Sequence, residues 1–280
     1  MKAIFKSVSE RRIEDFWLHS ISTGFFAKAF SIPRDPEQRS PSEKAELDRM
    51  HFDQAQLDLL THLQLSTKFQ VPKDQNAFIA GLLHDLGKVV TLLCFEDSLD
   101  LLDAIIEEEV AEQKAQGTAY AHSTITIERS LMRDMDHQIL GQRIAERWEL
   151  EHWIQEVIGR HHSYTTDEGK PPSAMVPLMA LANLASNMYS CFPYRATQHP
   201  LRIMTRKLKK GLGRDKFHDP DAVKKALDDT LMADLRDTLD RMDVPKSLWE
   251  TVDCRDFFTL AFVLQPQITD ATTAFFRQSQ

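Results

Sequence analysis

Apolar side chains recur at three- and four-residue intervals along most of this chain, the signature of helices that bury one face. In the first such stretch, Ile13 to Phe30, the positions Phe16, Trp17, Ile21, Phe25 and Ala29 follow helical spacing, and His19 is embedded among them. From Ala77 to Phe95 the residues Ile79, Leu82, Leu83, Leu86, Val89, Val90 and Leu93 fall at i, i+3, i+4, i+7, i+10, i+11 and i+14. That spacing predicts a buried helix with Gly87 as the place for a kink. Leu99, Leu102, Ile105, Ile106 and Val110 repeat the pattern until Gly117 ends it. His137, Leu140, Gly141, Ile144, Ala145 and Trp148 then share one face, and Leu150, Ile154, Val157, Ile158 and His161 share the next. Both of these apolar stripes carry a histidine.

The intervening stretches are polar. Between Ile32 and Asn76, Pro33, Pro36, Pro41 and Pro72 bracket a helical middle, Ser42 to Phe69, which reads as an insert of one or two helices. After a polar loop, Ser163 to Pro172, the residues Val176, Ala180, Asn183, Leu184 and Asn187 trace a helix face with a polar middle. His199 to Lys216 is strongly basic, and Asp219-Pro220 supplies an N-cap followed by proline at the first helical position. The helix it opens points Val223, Leu227, Leu231, Leu235 and Leu239 inward, and a last helix is expected from Cys254 to Leu264. The expected fold is therefore all-α: a helical core over residues 1–192 with an insert at 33–75, and a helical C-terminal extension, 193–280, packed on it.

Composition agrees. Of 280 residues only 9 are glycine, while 42% are hydrophobic and 27% charged, which favours a folded helical protein over a turn-rich sheet or a disordered chain. The net charge of −8 disfavours bulk nucleic-acid binding. Cys94, Cys191 and Cys254 are odd in number and form no CxxC pair, so neither a disulfide framework nor a thiolate zinc cluster is indicated, and the reducing cytoplasm fits best. The N-terminus turns charged at Glu10-Arg11-Arg12 without an apolar secretion segment. The apolar stretches fall short of the roughly 20 residues needed to cross a bilayer, so no membrane partner is expected.

The unusual feature is where the polar residues sit. His19, His84, Asp85, His137, His161, His162 and Asn183 all fall on or beside faces that otherwise bury apolar side chains. Buried imidazoles and carboxylates need partners, and one divalent ion serves several at once by accepting lone pairs and neutralising a carboxylate. Adjacent His84 and Asp85 diverge by about 100° on an ideal helix, so both reach one ion only near a helix end, and Gly87 permits such a break. Lys88 adds a cation one turn past His84, suited to a phosphoryl oxygen. His51, His62, His122, His152, His199 and His218 are read as ordinary hydrogen-bonded core residues outside any site. The basic run Arg202, Arg206, Lys207, Lys209, Lys210, Arg214 and Lys216 and the acidic run Glu107-Glu108-Glu109 read as solvated helix faces, the basic one also being a candidate anion or partner patch.

The string Gly81-Leu82-Leu83-His84-Asp85-Leu86-Gly87-Lys88 resembles the HD motif of the HD metal-dependent phosphohydrolase superfamily. Phe16-Trp17-Leu18-His19-Ser20, Asp136-His137-Gln138-Ile139-Leu140-Gly141 with Trp148, and Ile158-Gly159-Arg160-His161-His162 are similar to its HDOD branch, the metal-dependent hydrolase output domain. The resemblance implies an HD-type helical bundle in which His19, His84 and Asp85 hold one metal, with Asp85 bridging to a second held by His137, His161 and His162. The last family position, an aspartate, falls on Asn183, a neutral and weaker ligand that lowers the charge compensation at the first metal. The His19–His84 interval is longer than the resemblance implies, no helix of the kind that precedes an HDOD core stands before Ile13, and the tail beyond Phe192 carries no assignable motif. The segment His161 to Pro172 is similar to the HD-GYP branch but lacks Gly-Tyr-Pro, so a cyclic dinucleotide is not implied as substrate.

Three functions follow as alternatives. One is a phosphohydrolase with one or two divalent ions (Fe, Mn, Ni, Zn or Mg), in which Asp85 and Lys88 are catalytic and the substrate is a phosphorylated small molecule or nucleotide. Another is a non-catalytic signal-transduction module acting through a protein partner, as the HDOD resemblance and Asn183 suggest. The last is a di-iron redox enzyme on the same scaffold.

Overall fold

The computed structural model describes residues 10–32, 39–94, 124–162, 173–188, 200–213, 216–241 and 251–278, with positions 37, 100–102, 104–105, 108, 111–112, 115–116 and 248. The loop Ser163 to Pro172, Pro33 and Pro36, Leu99, Ile106, Val110 and Gly117, Cys191, His122, His199 and Arg214 lie outside these residues. Every regular element among the described residues is a helix.

Helix α1 (Glu10–Phe30) is the axis of the molecule. It packs along α5 (Ala77–Leu83), α10 (Met175–Asn187) and α14 (Cys254–Gln278). The approach to α5 is close because two glycines face each other there: a Cβ on Gly81 would stand 2.6 Å from the Cα of Gly24. Helices α2 (Pro41–Met50), α3 (Gln54–Leu63) and α4 (Leu65–Lys68) make up the expected insert, three segments rather than one or two. Its Met50, Leu60, Leu63 and Leu65 join the main apolar cluster. Asp53 opens α3 with a reciprocal capping box with Gln56, and the buried Gln56 amide then donates to the Val263 carbonyl of α14 at 2.8 Å. That bond lies beside the place where Pro266 removes a donor from the α14 ladder.

The expected single helix over 77–95 is two, α5 and α6 (Leu86–Cys94), parted at His84-Asp85. Gly87 is not the hinge. It lies inside α6, and a Cβ there would stand 1.8 Å from the His137 carbonyl oxygen, so its role is to let α6 press against α8 (His137–Arg147). This 18-residue stretch has a mean hydropathy of 1.6, apolar enough to pass for a membrane span, but it is broken at two ionisable residues and more than half of it is buried inside the protein. Helices α7 (Thr124–Leu131) and α9 (His152–Arg160) complete this half. Trp148, placed by spacing on the apolar face of α8, caps that helix and is 61% exposed.

Beyond it come α11 (Pro200–Leu212), α12 (Pro220–Ala226) and α13 (Asp229–Arg241), followed by α14. Asp219 caps α12 through the Asp221 and Ala222 amides, and Leu227 ends it, so the expected run from Val223 to Leu239 is two helices, with Val223, Leu227, Leu235 and Leu239 buried and Leu231 half-buried. Helix α14 runs to Gln278 through Pro266, well past the expected end at Leu264. Its Phe257, Phe258, Leu260, Ala261 and Phe262 fill the main cluster together with α10, which is buried on nearly every side rather than on one face. Arg206, Lys207 and Lys210 are exposed, whereas Lys209 is half-buried and stands 5.9 Å from the centre of the Phe217 ring.

Candidate metal centre

Five of the seven residues singled out as metal ligands, His19, His84, Asp85, His137 and His161, are completely buried and converge on one place. His162 is half-buried at its edge. Helix ends do the positioning. His84 follows the last turn of α5 and His161 that of α9, and each ring Nδ1 donates to the carbonyl three residues back, Gly81 at 2.7 Å and Ile158 at 3.0 Å. These carbonyls lie in the last turns of their helices, where such groups lack intrahelical donors. His137 sits at the first position of α8, behind the Asp136 cap that takes the Ile139 amide. There its own backbone N–H is unused by the helix and donates to Glu128 Oε2 at 2.9 Å, while Nδ1 donates to the same oxygen at 2.7 Å. His19 lies mid-helix on α1, with Nδ1 3.1 Å from the Ser186 hydroxyl.

The Nε2 atoms therefore face inward, and Asp85 is at their centre. Its Oδ2 lies 3.3 Å from His19 Nε2 and 3.4 Å from His84 Nε2, and its Oδ1 lies 3.4 Å from His137 Nε2 and 3.3 Å from His161 Nε2. Lys88 Nζ donates to Oδ2 at 2.7 Å. The ring separations from Asp85 exceed the 2.7–2.9 Å of charge-assisted hydrogen bonds. They equal the spacing, about 3.3–3.4 Å, between two donors each about 2.0–2.1 Å from one tetrahedral ion.

Protonation sharpens this. Burial pushes His84 and His162 well below the ordinary imidazole range, and lowers His19 and His161 despite the nearby Asp85 carboxylate. Burial alone would raise Asp85, but the adjacent His84 and the Lys88 ammonium hold it well below its usual value. Glu128 is held low against burial by His137. Because a carboxylate and a carbonyl only accept, Nδ1 carries the proton on both His137 and His161. Their Nε2 atoms face each other at 3.2 Å. Such an approach of two ring nitrogens is favourable only with a proton or a metal ion between them. Further polar atoms are buried without a partner at His84 Nε2, Asp85 Oδ1 and His162 Nε2.

The donors fall into two sets that share Asp85: His19, His84 and Asp85, and Asp85, His137, His161 and His162. Asn183, buried on α10, bonds toward His19 and accepts from Asn187 at 3.1 Å. Lys88, expected to be available for a phosphoryl oxygen, is buried against Asp85. His51, His62, His152 and His218 stand apart from the centre, exposed rather than in the core; His62 pairs with Asp256. Cys94 and Cys254 are free thiols, the latter raised to about 11 by burial.

Residue-type reasoning missed Glu128, Ser186 and the role of Gln138, whose carbonyl accepts the His162 amide at 2.8 Å. Glu128 did leave a signal, since it lies three residues after Ile125 and three before Leu131 on the inward face of α7. An acid on that face needed a partner.

The HDOD domain family matches residues 39–164, in agreement with the resemblance. This span holds His84, Asp85, Lys88, Glu128, His137, His161 and His162, whereas His19 and Asn183 lie outside it and join the centre through the fold. A protein of Treponema pallidum (strain Nichols), described as uncharacterized, is 30% identical over 111 residues, or 39% of this chain. The aligned part spans 19% of that protein's length. No solved structure matches the chain.

Proposed function

We propose that this chain, with its HDOD domain over residues 39–164, is a divalent-metal hydrolase acting on a phosphoester or nucleotide-type substrate. The observation that carries the reading is the convergence of five buried or half-buried imidazoles on the Asp85 carboxylate, with the Nε2 atoms of His137 and His161 only 3.2 Å apart. Neutral Nε2 donors with a carboxylate suit Zn, Mn, Fe or Ni better than Mg, which prefers all-oxygen sites. Asp85 with His137, His161 and His162, or Asp85 with His19 and His84, would hold a metal, and Asn183 would steady His19. When bound, such an ion polarises a phosphoryl oxygen and acidifies water.

The chain's own groups supply the rest. The Nδ1 bonds to Gly81, Ile158 and Glu128 keep the rings from turning and hold each proton on the far side of the centre. Lys88 Nζ keeps Asp85 ionised and adds fixed positive charge where a phosphoryl group gains negative charge. His162, the half-buried member, marks the side from which substrate approaches. The free Cys94 and Cys254 support a reducing compartment such as the cytoplasm.

The test is hydrolysis of nitrophenyl phosphomonoesters, phosphodiesters and nucleotides by chain loaded with Mn²⁺ or Zn²⁺, against Asp85→Asn and His161→Ala. Turnover by the wild type that falls at least about 100-fold in both variants is expected. Turnover unaffected by either substitution contradicts the reading.

The complete burial of five donors, together with a neutral Asn183, favours one second reading, a metal-stabilised signalling module that acts through a protein partner. Loaded chain that turns over none of these substrates, yet captures a partner whose binding survives Asp85→Asn, supports it.

A further inference from the structure

We infer that the centre is asymmetric: one divalent ion sits between Asp85 Oδ1, His137, His161 and His162, while the Lys88 ammonium stands at Asp85 Oδ2, where a second ion would share His19 and His84. This rests on the metal reading above and specifies its stoichiometry.

The donor atoms alone are nearly symmetric. Each Asp85 oxygen faces two imidazole nitrogens at 3.3–3.4 Å. Charge breaks the symmetry. On the Oδ1 side a second carboxylate, Glu128, stands directly behind His137 at 2.7 Å and makes that imidazole a stronger donor, as carboxylates behind metal-bound histidines do. The groups behind the Oδ2-side rings are neutral, the Gly81 carbonyl behind His84 and the Ser186 hydroxyl behind His19. Asn183, also neutral, adds no charge there.

Donor number points the same way. The Oδ1 side offers three imidazoles and one carboxylate oxygen, a full tetrahedral set, with the rings of His161 and His162 centred 4.4 Å apart. The Oδ2 side offers two imidazoles and an oxygen that already accepts from Lys88 at 2.7 Å, a charge-assisted distance. A dication placed there would meet the buried ammonium at close range and compete with it for the same lone pair. The ion and the ammonium thus stand as the two cationic centres, one on each Asp85 oxygen, in place of a pair of metals.

The test is metal stoichiometry of the full chain, stripped with chelator, reloaded with Zn²⁺, desalted and counted by elemental analysis, with circular dichroism confirming the fold of each variant. One zinc per chain is expected for wild type, His84→Ala and Lys88→Arg, at least tenfold less for His161→Ala, and two for Lys88→Met. Two zincs in the wild type, retention in His161→Ala with loss in His84→Ala, or a single zinc in folded Lys88→Met overturns the asymmetry while leaving a metal centre in place. No zinc in the wild type instead overturns the metal reading itself. Should a variant not fold, anomalous diffraction from wild-type crystals soaked in Zn²⁺ decides: a peak between His137 and His161 is expected, and a peak between His19 and His84 contradicts the inference.

Discussion

Two interiors meet along α1. Toward its C-terminal end Phe26, Ala27 and Phe30 enter the apolar cluster with α10 and α14. Two turns earlier His19 enters the ionisable centre. Both regions exclude water, but they are stable for opposite reasons. The apolar cluster satisfies itself, since each side chain gains from the next and no outside group is required. The centre collects five imidazoles and two carboxylates against one lysine, and in the proposed reading its stability is tied to a bound cation.

The largest effect that separates the two is expected in the apolar cluster. Phe257→Ala empties a fully buried ring position and costs about 3–5 kcal/mol in urea unfolding. The loss is the same with and without chelator, because nothing in that cluster depends on an ion. A chelator-dependent loss would show that the regions are coupled.

Gly87→Ala tests the seam. Its new methyl meets the His137 backbone, which cannot swing aside, so α6 and α8 must separate. A loss of about 1–3 kcal/mol is expected by thermal or urea melting, together with weaker metal binding. Unchanged metal affinity would mean that the centre tolerates a shift of His137 relative to Asp85.

Glu128→Gln acts on the centre alone. A neutral amide behind His137 removes charge without removing volume, and zinc affinity measured by competition with a chromophoric chelator falls about 10- to 100-fold.

A further effect is in pH. In stripped protein His19, His84, His161 and His162 are held below 6.5, so the unfolded chain takes up protons first as pH falls. Their contribution is complete above pH 6.5 and is lost on acidification through that value, by up to about 1.4 kcal/mol per pH unit for each group. Asp85 and Glu128, also lowered, add losses in the same direction below their ordinary 3.8 and 4.5. Urea midpoints taken at a series of pH values check the sign; a midpoint that rises on acidification between pH 7 and 5 contradicts it.

Most of the helices, and the residues that converge at the centre, were legible in the sequence because helical periodicity and a short motif are both local signals. His84 and Asp85 announce themselves by adjacency, and His137 and His161 by interrupting apolar stripes. Trp148 misled because periodicity does not mark where a helix stops, and α8 ends one residue before it. Gly87 misled because a glycine needed for close approach looks the same in sequence as one needed for a bend. Lys88 and Asp85 do stand at the i, i+3 spacing of an ion pair, whereas the pairing of Glu128 with His137 depends on which helix ends converge and is not written in spacing.

The claim on which all of this stands is that a cation belongs among these buried rings. Elemental analysis of wild-type and Asp85→Ala protein, purified side by side without chelator, tests it most directly. Near-stoichiometric transition metal in the wild type, lost in a variant whose circular dichroism is unchanged, is the predicted result. Equal metal content in the two proteins, or a wild type that remains metal-free after incubation with Zn²⁺, Mn²⁺ and Fe²⁺, would contradict it.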